Sequence, residues 1–306
     1  MSLLVVGTVA FDAIETPFGK TDKIVGGAAT YISLAASFFT KHIFLVSVIG
    51  DDFPQETLEF FRKKNINLDG LEIVKGGKSF FWAGRYRYDL NSRETLATEL
   101  NVLADFVPRL PSPARAPDFV MLGNLTPAVQ MEVIRQLIRR PRIIAIDTMN
   151  YWMNNALEEL LIVIRSVDLL IINDEEARQL SGENSLRKGA RKILAMGPQY
   201  IVIKKGEHGA LLFNKRGEVF FAPALPLEDV VDPTGAGDSF AGGMMGYLDK
   251  TRSVNFENLK RAVICGSATA SFCVEKFGTQ RLEEVKNFEA KERIQNFPKL
   301  TRYTMS

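Results

Sequence analysis

Short apolar runs without polar alternation recur along this chain. Runs of four to six mostly aliphatic residues are typical of parallel strands whose two sheet faces are both covered. The predicted strands are Leu3–Val6, Ile43–Val48, Phe119–Leu122, Ile143–Ile146, Leu169–Ile172 and Tyr200–Ile203.

Segments with helical periodicity separate these runs. Alternating strands and helices predict an α/β fold with a mostly parallel central sheet flanked by helices. We expect a single domain over residues 1–306, because no repeat or low-complexity linker divides the chain. The predicted helices are Gly27–Phe39, Gln55–Lys64, Ala128–Arg139, Ala156–Val167, Asp174–Leu180 and Leu186–Met196.

One region departs from this alternation. Residues Leu71–Val74 and Ser79–Leu90 look like two strands around a pair of glycines, and Ile14–Val25 is a third extended candidate. Alternation of period two is typical of antiparallel strands. These segments therefore predict a small antiparallel sheet outside the main one, either a lid or an interface. One face of its second strand carries the aromatic residues Phe80, Trp82, Tyr86 and Tyr88.

The charged and metal-binding residues narrow the chemistry. The chain has 38 Lys and Arg against 36 Asp and Glu, which gives a net charge of +2, so nothing indicates a nucleic-acid partner. With two His and two Cys, a zinc site of the usual spacing is excluded and a His-centred nucleophilic triad is disfavoured. The chemistry is therefore expected to use carboxylates, backbone amides and Lys or Arg.

The targeting signals point to a cytoplasmic protein without a membrane partner. The first ten residues lack a basic region and resemble a buried strand, not a signal peptide. No apolar stretch reaches the roughly 18 residues that a membrane span needs. Cys265 and Cys273 are expected to be buried, unpaired thiols.

Two common phosphate-binding motifs are absent. Gly19-Lys20-Thr21 and Gly77-Lys78-Ser79 resemble the end of a Walker A loop, but neither has the glycine required earlier in that motif. Gly235–Gly237 lacks the third glycine of a dinucleotide fingerprint, since position 240 is Phe240. A nicotinamide-dependent dehydrogenase is therefore disfavoured.

The stretch 231–248 is the most informative in the chain. Gly235, Ala236 and Gly237 precede an apolar helix, and amides at a helix N-terminus can converge on an anion. Asp238 falls in the first turn of that helix. By itself it could be a capping carboxylate. Beside an anion site it is better suited to accept a proton from an attacking hydroxyl group.

These residues carry a family resemblance. Asp232–Phe240 resembles the second signature of the ribokinase-like (PfkB) carbohydrate kinases, with Pro233-Thr234 as a variant. Gly26-Gly27 resembles the first signature, Asn173–Glu176 the Asn-x-x-Glu element, and Lys204–Gly209 the turn that meets the nucleotide. The resemblance implies a ribokinase-like α/β domain with a β lid from about residues 14–25 and 71–98.

The resemblance also implies roles at the phosphate end of the site. Asp238 would be the general base, and Gly235, Ala236 and Gly237 would give amides to the transferred γ-phosphoryl group of ATP. Asn173 and Glu176, which alone would be a helix cap and a capping-box acid, would help to hold Mg²⁺ through water. A monovalent cation such as K⁺ is a further cofactor to test. The nucleotide contacts would be Lys204, Gly206 and Ser267, where many relatives have Asn in place of Ser267.

The acceptor end departs from the family pattern. Asp12 would accept hydrogen bonds from two adjacent hydroxyl groups, and Gly26 and Gly27 would let the backbone approach the substrate. Tyr31 occupies a position where many sugar kinases have Asn. The remaining substrate candidates are Asn150, in an Asp-x-Asn-x-Arg element that here lacks the Arg, and Trp82.

Aromatic residues leave two acceptor classes open. Trp152 and the lid aromatics could stack on a nucleobase or sugar ring, but a lid–lid homodimer interface would explain the lid residues equally well. The sequence thus predicts an ATP-dependent kinase acting on a hydroxymethyl group of a small sugar or sugar-like substrate. The alternatives are a nucleoside kinase of the same family or a non-catalytic sugar- or nucleotide-binding regulator.

Overall fold

The computed structural model describes residues 2–302. Its central sheet has nine strands in the order β14-β13-β12-β11-β10-β9-β1-β5-β6. Neighbouring strands are parallel from β6 to β12, and β13 and β14 continue the sheet antiparallel. These strands are β1 Leu3–Val6, β5 Ile43–Gly50, β6 Ile66–Val74, β9 Phe119–Leu122, β10 Ile143–Ile146, β11 Leu169–Asn173, β12 Tyr200–Lys204, β13 Ala210–Asn214 and β14 Val219–Ala222.

Helices cover both faces of this sheet. The helices are α1 Ala28–Ala36, α2 Gln55–Lys63, α3 Pro127–Gln136, α4 Asn150–Asn155, α5 Leu157–Ser166, α6 Asp174–Ser181, α7 Leu186–Met196, α8 Ala236–Thr251, α9 Phe256–Cys273, α10 Gln280–Glu284 and α11 Asn287–Thr301. Among these residues, no helix combines the length and apolar character needed to cross a membrane.

The sheet separates two hydrophobic cores. Leu3 and Val5 of β1 pack into the core with α1, α2, α8, α9, α10 and α11. The alternate residues Leu4 and Val6 pack into the core with α3 to α7. Successive strand residues point to opposite faces, so both faces need apolar side chains. This double burial explains why the strands appear in the sequence as unbroken apolar runs.

A second, five-stranded sheet forms the lid. Its strands are β2 Ala10–Thr16, β3 Gly19–Lys20, β4 Ile24–Gly26, β7 Phe80–Tyr86 and β8 Arg93–Glu99. The order is β3-β2-β7-β8, and β4 pairs with β2. Three of the four pairings are antiparallel, but β2 and β7 run parallel. The predicted lid is therefore confirmed as a small, mainly antiparallel sheet, with one parallel pairing.

Two predicted boundaries need correction. Leu71–Val74 is not a lid strand, because it is the end of β6 and pairs with β5 in the central sheet. Exposure of one face at the sheet edge gives it the mixed polarity that suggested a lid. Ser79–Leu90 is also too long as a strand, since β7 ends at Tyr86. Tyr88 lies in the following turn and is 83% exposed.

Candidate active site

The loop before α8 is fixed by one buried carboxylate. Asp232 is fully buried, and its Oδ1 accepts a hydrogen bond from the Thr234 amide at 2.8 Å. Its Oδ2 accepts one from the Gly278 amide at 2.9 Å. Buried polar atoms need partners, and both oxygens of Asp232 have one. This carboxylate therefore ties the 231–235 loop to the segment that follows α9.

Glycine is required at position 235 and leaves room for the Lys204 amine at position 237. Gly235 caps α8 with φ +75°, in the left-handed region, and a Cβ there would overlap the Tyr31 ring. A Cβ on Gly237 would lie 2.8 Å from Nζ of Lys204. No side chain caps α8 within the described part of the chain. The first amides of this 16-residue helix thus have no side-chain cap, and we call residues 235–237 the anion cradle because such amides suit a phosphate group.

Asp238 lies in the first turn of α8, inside this cradle. Burial raises its pKa to about 7, and the Asp147 carboxylate adds to the increase. The charges of Lys204 and Arg93 act in the opposite direction and lower it. A carboxylate with a pKa near neutrality is well matched to accept a proton at physiological pH.

Lys204 supplies positive charge from the end of β12. Its Nζ lies 3.7 Å from Oδ1 of Asp147, and its side chain is 16% exposed. Burial alone would lower the pKa of Lys204, but the carboxylates of Asp147, Glu176 and Asp238 raise it. The amine is therefore held as a cation among three acids. A lysine in this state can bind the anionic groups of a nucleotide.

Asn173 and Glu176 form a capping box at the start of α6. The Asn173 side chain accepts a hydrogen bond from the Glu176 amide at 2.8 Å, and Glu176 Oε2 accepts one from the Asn173 amide at 2.8 Å. Burial raises the pKa of Glu176 to about 7, with a further increase from Asp147. Among residues 2–302, no cluster of three His, Cys, Asp or Glu side chains is arranged to hold a metal ion. Within these residues, Glu176 therefore does not belong to a preformed cluster of side chains that could bind a metal ion directly.

Asp12 reaches the site from the lid strand β2. A Cβ on Gly26 would overlap the Asp12 carboxyl group, so only glycine leaves this space. The Gly27 amide donates a hydrogen bond to the carboxyl group. Gly27 has φ +93° and begins α1, which requires the freedom of glycine. Burial nevertheless raises the pKa of Asp12 to about 7, with contributions from Asp232 and Asp238.

Tyr31 lies behind the anion cradle. Its side chain is 1% exposed and its ring packs against Gly235. Its hydroxyl group is buried and has no hydrogen-bond partner in the described part of the chain. The sequence predicts a substrate contact at Tyr31, but in the structure Gly235 covers its ring. Tyr31 supports the cradle, and a substrate contact through its hydroxyl stays a prediction.

The inner face of the lid carries Trp82, Tyr86 and Arg93. Trp82 pairs with Asp12 across β2 and β7, so both side chains lie on the same face. The Tyr86 hydroxyl lies 3.2 Å from Oγ1 of Thr234, within hydrogen-bond distance, which joins the lid to the cradle loop. The aromatic face predicted for this strand is therefore confirmed for Trp82 and Tyr86, and it faces the cradle.

The remaining predicted residues lie at the periphery of the site. Asn150 begins α4 and is half-buried, and Ser267 lies on α9 with 7% exposure. Gly206 starts a short 3₁₀ turn, Gly206–His208, and the Asn91 side chain of the lid tip packs against it. Trp152 donates its indole N–H to Oδ1 of Asn124 at 2.8 Å and packs on a hydrophobic core. Stacking of Trp152 on a substrate stays a prediction.

Two charged residues of the candidate site were not predicted from the sequence. Asp147 follows the buried strand β10 directly, and the carboxyl ends of parallel strands are where ligands bind, so this signal was available. Arg93 had no such signal. It pairs with Tyr86 across β7 and β8, and its charge reaches Asp238 only because the lid folds over the cradle.

Comparisons with known proteins agree with this geometry. Residues 2–286 match the pfkB family of carbohydrate kinases. A cytidine kinase of Thermococcus kodakarensis is 27% identical over 91% of this chain and 98% of that protein. A nucleoside kinase of Methanothermobacter thermautotrophicus is 29% identical over 94% of this chain and 96% of that protein.

Solved structures share the fold. The nucleoside kinase of Methanocaldococcus jannaschii superposes with a TM-score of 0.77 over 96% of this chain and 98% of that chain, at 19% identity. A probable sugar kinase of Rhizobium etli gives 0.81 over the same shares, at 16% identity. The chain belongs to the pfkB family and has the ribokinase-like fold. It is a phosphotransferase with an alcohol group as acceptor, and it acts on a small sugar-like substrate.

Proposed function

We propose that this kinase phosphorylates the 5′-hydroxymethyl group of a nucleoside, with ATP as the donor. The observation that carries the proposal is the pairing of Asp12 with Trp82 on the lid face that covers the cradle. A carboxylate can accept hydrogen bonds from a ribose diol, and an indole ring can stack on a base. The names of the two relatives matched over nine tenths of the chain support the same substrate class.

Asp238 accepts the proton of the attacking hydroxyl group. It is buried and its pKa lies near 7, so it is largely ionised above neutral pH and protonated below it. The amides of Gly235, Ala236 and Gly237 stabilise the negative charge that develops on the transferred phosphoryl group. Stabilisation of this kind is the main contribution that a protein makes to phosphoryl transfer.

Lys204 binds the phosphates from the opposite side of the cradle, and Gly206 and Ser267 meet the rest of the nucleotide. Mg²⁺ would neutralise phosphate charge when it is bound. The capping box engages one oxygen each of Asn173 and Glu176. Since Mg²⁺ keeps several waters, these two residues would hold it through water.

The lid excludes water, which would otherwise compete with the nucleoside for the phosphoryl group. In this structure two of the contacts between the lid and the rest of the chain lie at the site. Tyr86 bonds to Thr234 at the cradle, and Asn91 at the lid tip contacts Gly206 at the nucleotide turn. Closure therefore brings the acceptor side and the nucleotide side of the site together.

An acceptor panel tests the proposal. ADP release is measured with cytidine, adenosine, inosine, ribose, fructose and ketodeoxygluconate at equal concentrations, with and without K⁺. We expect the highest kcat/KM with a nucleoside. A free sugar as the best acceptor would contradict the nucleoside assignment while leaving the kinase class intact. Failure of every acceptor, with tight nucleotide binding, would favour a non-catalytic regulator.

The assembly and compartment are further parts of the proposal. We propose a cytoplasmic homodimer that associates through the lid. Phe18 and Tyr88 support this, because both are exposed at 56% and 83% and their ring centroids lie 6.5 Å apart on the lid. Light scattering of the wild type and of a Phe18→Ser, Tyr88→Ser variant measures the assembly, and a change from dimer to monomer is the expected result.

A further inference from the structure

Gly84 has a structural peculiarity that none of the catalytic roles explains. A Cβ on Gly84 would overlap the six-membered ring of Trp82. The Trp82 indole therefore lies along β7 and covers the backbone of Gly84. Any other residue at position 84 would push the ring away from the sheet.

Neighbouring side chains hold the indole in this orientation. Thr95 pairs with Gly84 across β7 and β8, and the Trp82 Nε1–H points to its Oγ1 at 3.4 Å. The guanidinium carbon of Arg93 lies over the ring, 5.8 Å from its centroid. Trp82 remains half-buried, so the side chain keeps part of its surface accessible.

The position of the ring relative to Asp12 matches the shape of a nucleoside. Asp12 and Trp82 are direct neighbours on β2 and β7, and adjacent strands are about 4.8 Å apart. In a nucleoside, the base is attached at the carbon next to the 2′,3′-diol. A ribose whose diol bonds to Asp12 would therefore place its base over the neighbouring strand, where the indole lies.

We infer that Gly84 is a specificity-determining residue, because it lets Trp82 lie flat as a stacking platform for a planar base. The inference rests on the proposed nucleoside kinase function and deepens it. Gly84 and Thr95 do not touch the reacting atoms. They act through the orientation of Trp82, which is the group that contacts the base.

Steady-state kinetics with cytidine and ribose test this role. Trp82→Ala removes the platform, and we expect its KM for cytidine to rise about 10- to 100-fold, the range for losing one base–aromatic stack. Gly84→Ala should raise the same KM in the same direction, with KM for ATP and for ribose within about twofold of the wild type. Phe288→Ala, which removes an aromatic of α11 that is 65% exposed, is the matched control and should change none of these constants.

A fluorescence readout separates orientation from folding. Trp82 and Trp152 are the two tryptophans of the chain, so Trp152→Phe leaves Trp82 as the sole reporter. Cytidine should quench this emission, and Gly84→Ala in the same background should abolish the quench while the thermal unfolding midpoint stays close to that of its parent. Thr95→Val, which adds no bulk at position 84, should weaken the quench.

The outcomes distinguish this inference from the proposed function. If the wild type prefers nucleosides but Gly84→Ala leaves the cytidine KM and the quench unchanged, the role of Gly84 is overturned and the nucleoside assignment stands. If Gly84→Ala raises the KM for ATP and cytidine equally, it has disturbed the lid as a whole, and the specific role is again rejected. If the wild type phosphorylates only free sugars, both fail together.

Discussion

Two buried carboxylates at opposite ends of the central sheet have pKa values that are shifted in opposite directions. At the carboxyl end, Asp238 has a pKa raised to about 7 because burial outweighs the nearby cations. At the opposite end, Asp118 precedes β9, and its pKa is lowered to about 2. There, burial is outweighed by Arg252 at 2.9 Å and Arg139 at 3.0 Å.

The difference shows that the Asp118 carboxylate serves the stability of the fold, whereas the carboxyl groups of the candidate site are suited to react. The arginines at Asp118 bond directly to its two oxygens, so its charge stabilises the folded chain. In the active site, Lys204 is 3.7 Å from Asp147, and its charge is shared among three acids. Asp147 and Glu176 each accept one backbone hydrogen bond, but burial still raises the pKa of all three acids, which is costly for folding and keeps them able to exchange protons.

The strongest test of the comparison is Asp238→Asn. Loss of the base should lower kcat by about 10²- to 10⁴-fold, because general base catalysis contributes on this scale. The folded pKa of Asp238 lies above its unfolded value of 3.8, so the stability gained from the neutral buried acid is lost progressively as pH rises from about 3.8 to about 7. The stability of the variant relative to the wild type should therefore be greater at pH 8 than at pH 5.

Turnover by ADP release and thermal unfolding at the two pH values measure both effects. Near-normal turnover would show that Asp238 is not the base. A variant less stable than the wild type at pH 8 would show that Asp238 is well compensated, and the contrast with Asp118 would disappear.

Asp118→Asn should have an intermediate effect, on stability alone. The folded pKa of Asp118 is about 2, below the unfolded value of 3.8, so its contribution is present above pH 3.8 and is lost as pH falls toward 2. We expect a loss of about 2 kcal/mol in unfolding free energy at pH 7. Urea unfolding at pH 7, 5 and 3 measures it, with Asp105→Asn on the surface as the control. An equal loss at pH 3 and pH 7 would contradict the ionic origin.

Arg93→Ala should have the smallest effect, on the pH profile. The Arg93 charge lowers the pKa of Asp238, so its removal should move the acidic limb of kcat/KM to higher pH. Arg85→Ala is the matched control, because Arg85 bonds to Glu15 on the outer face of the same lid. The interpretation fails if the limb does not move, or if both variants move it equally.

Most of the central fold could be predicted from the sequence. Leu3–Val6, Phe119–Leu122 and Ile143–Ile146 have the predicted boundaries because strands buried on both faces leave an unbroken apolar pattern. The 235–238 motif could also be predicted, since its four residues are consecutive in the chain. The lid was harder, because Leu71–Val74 at a sheet edge has the same mixed polarity as a lid strand.

By itself, the sequence determined the α/β class and predicted the candidate base Asp238 and the amides of residues 235–237, because these depend on residues that are neighbours in the chain. Only the tertiary structure decided that Trp82 stands beside Asp12, that Tyr31 lies behind Gly235 and that the charge of Arg93 reaches Asp238. The physical reason is that these relations depend on strand register and lid closure, which join segments far apart in the chain. The pKa of Asp238 depends on the same burial, so its reactivity is a property of the folded protein.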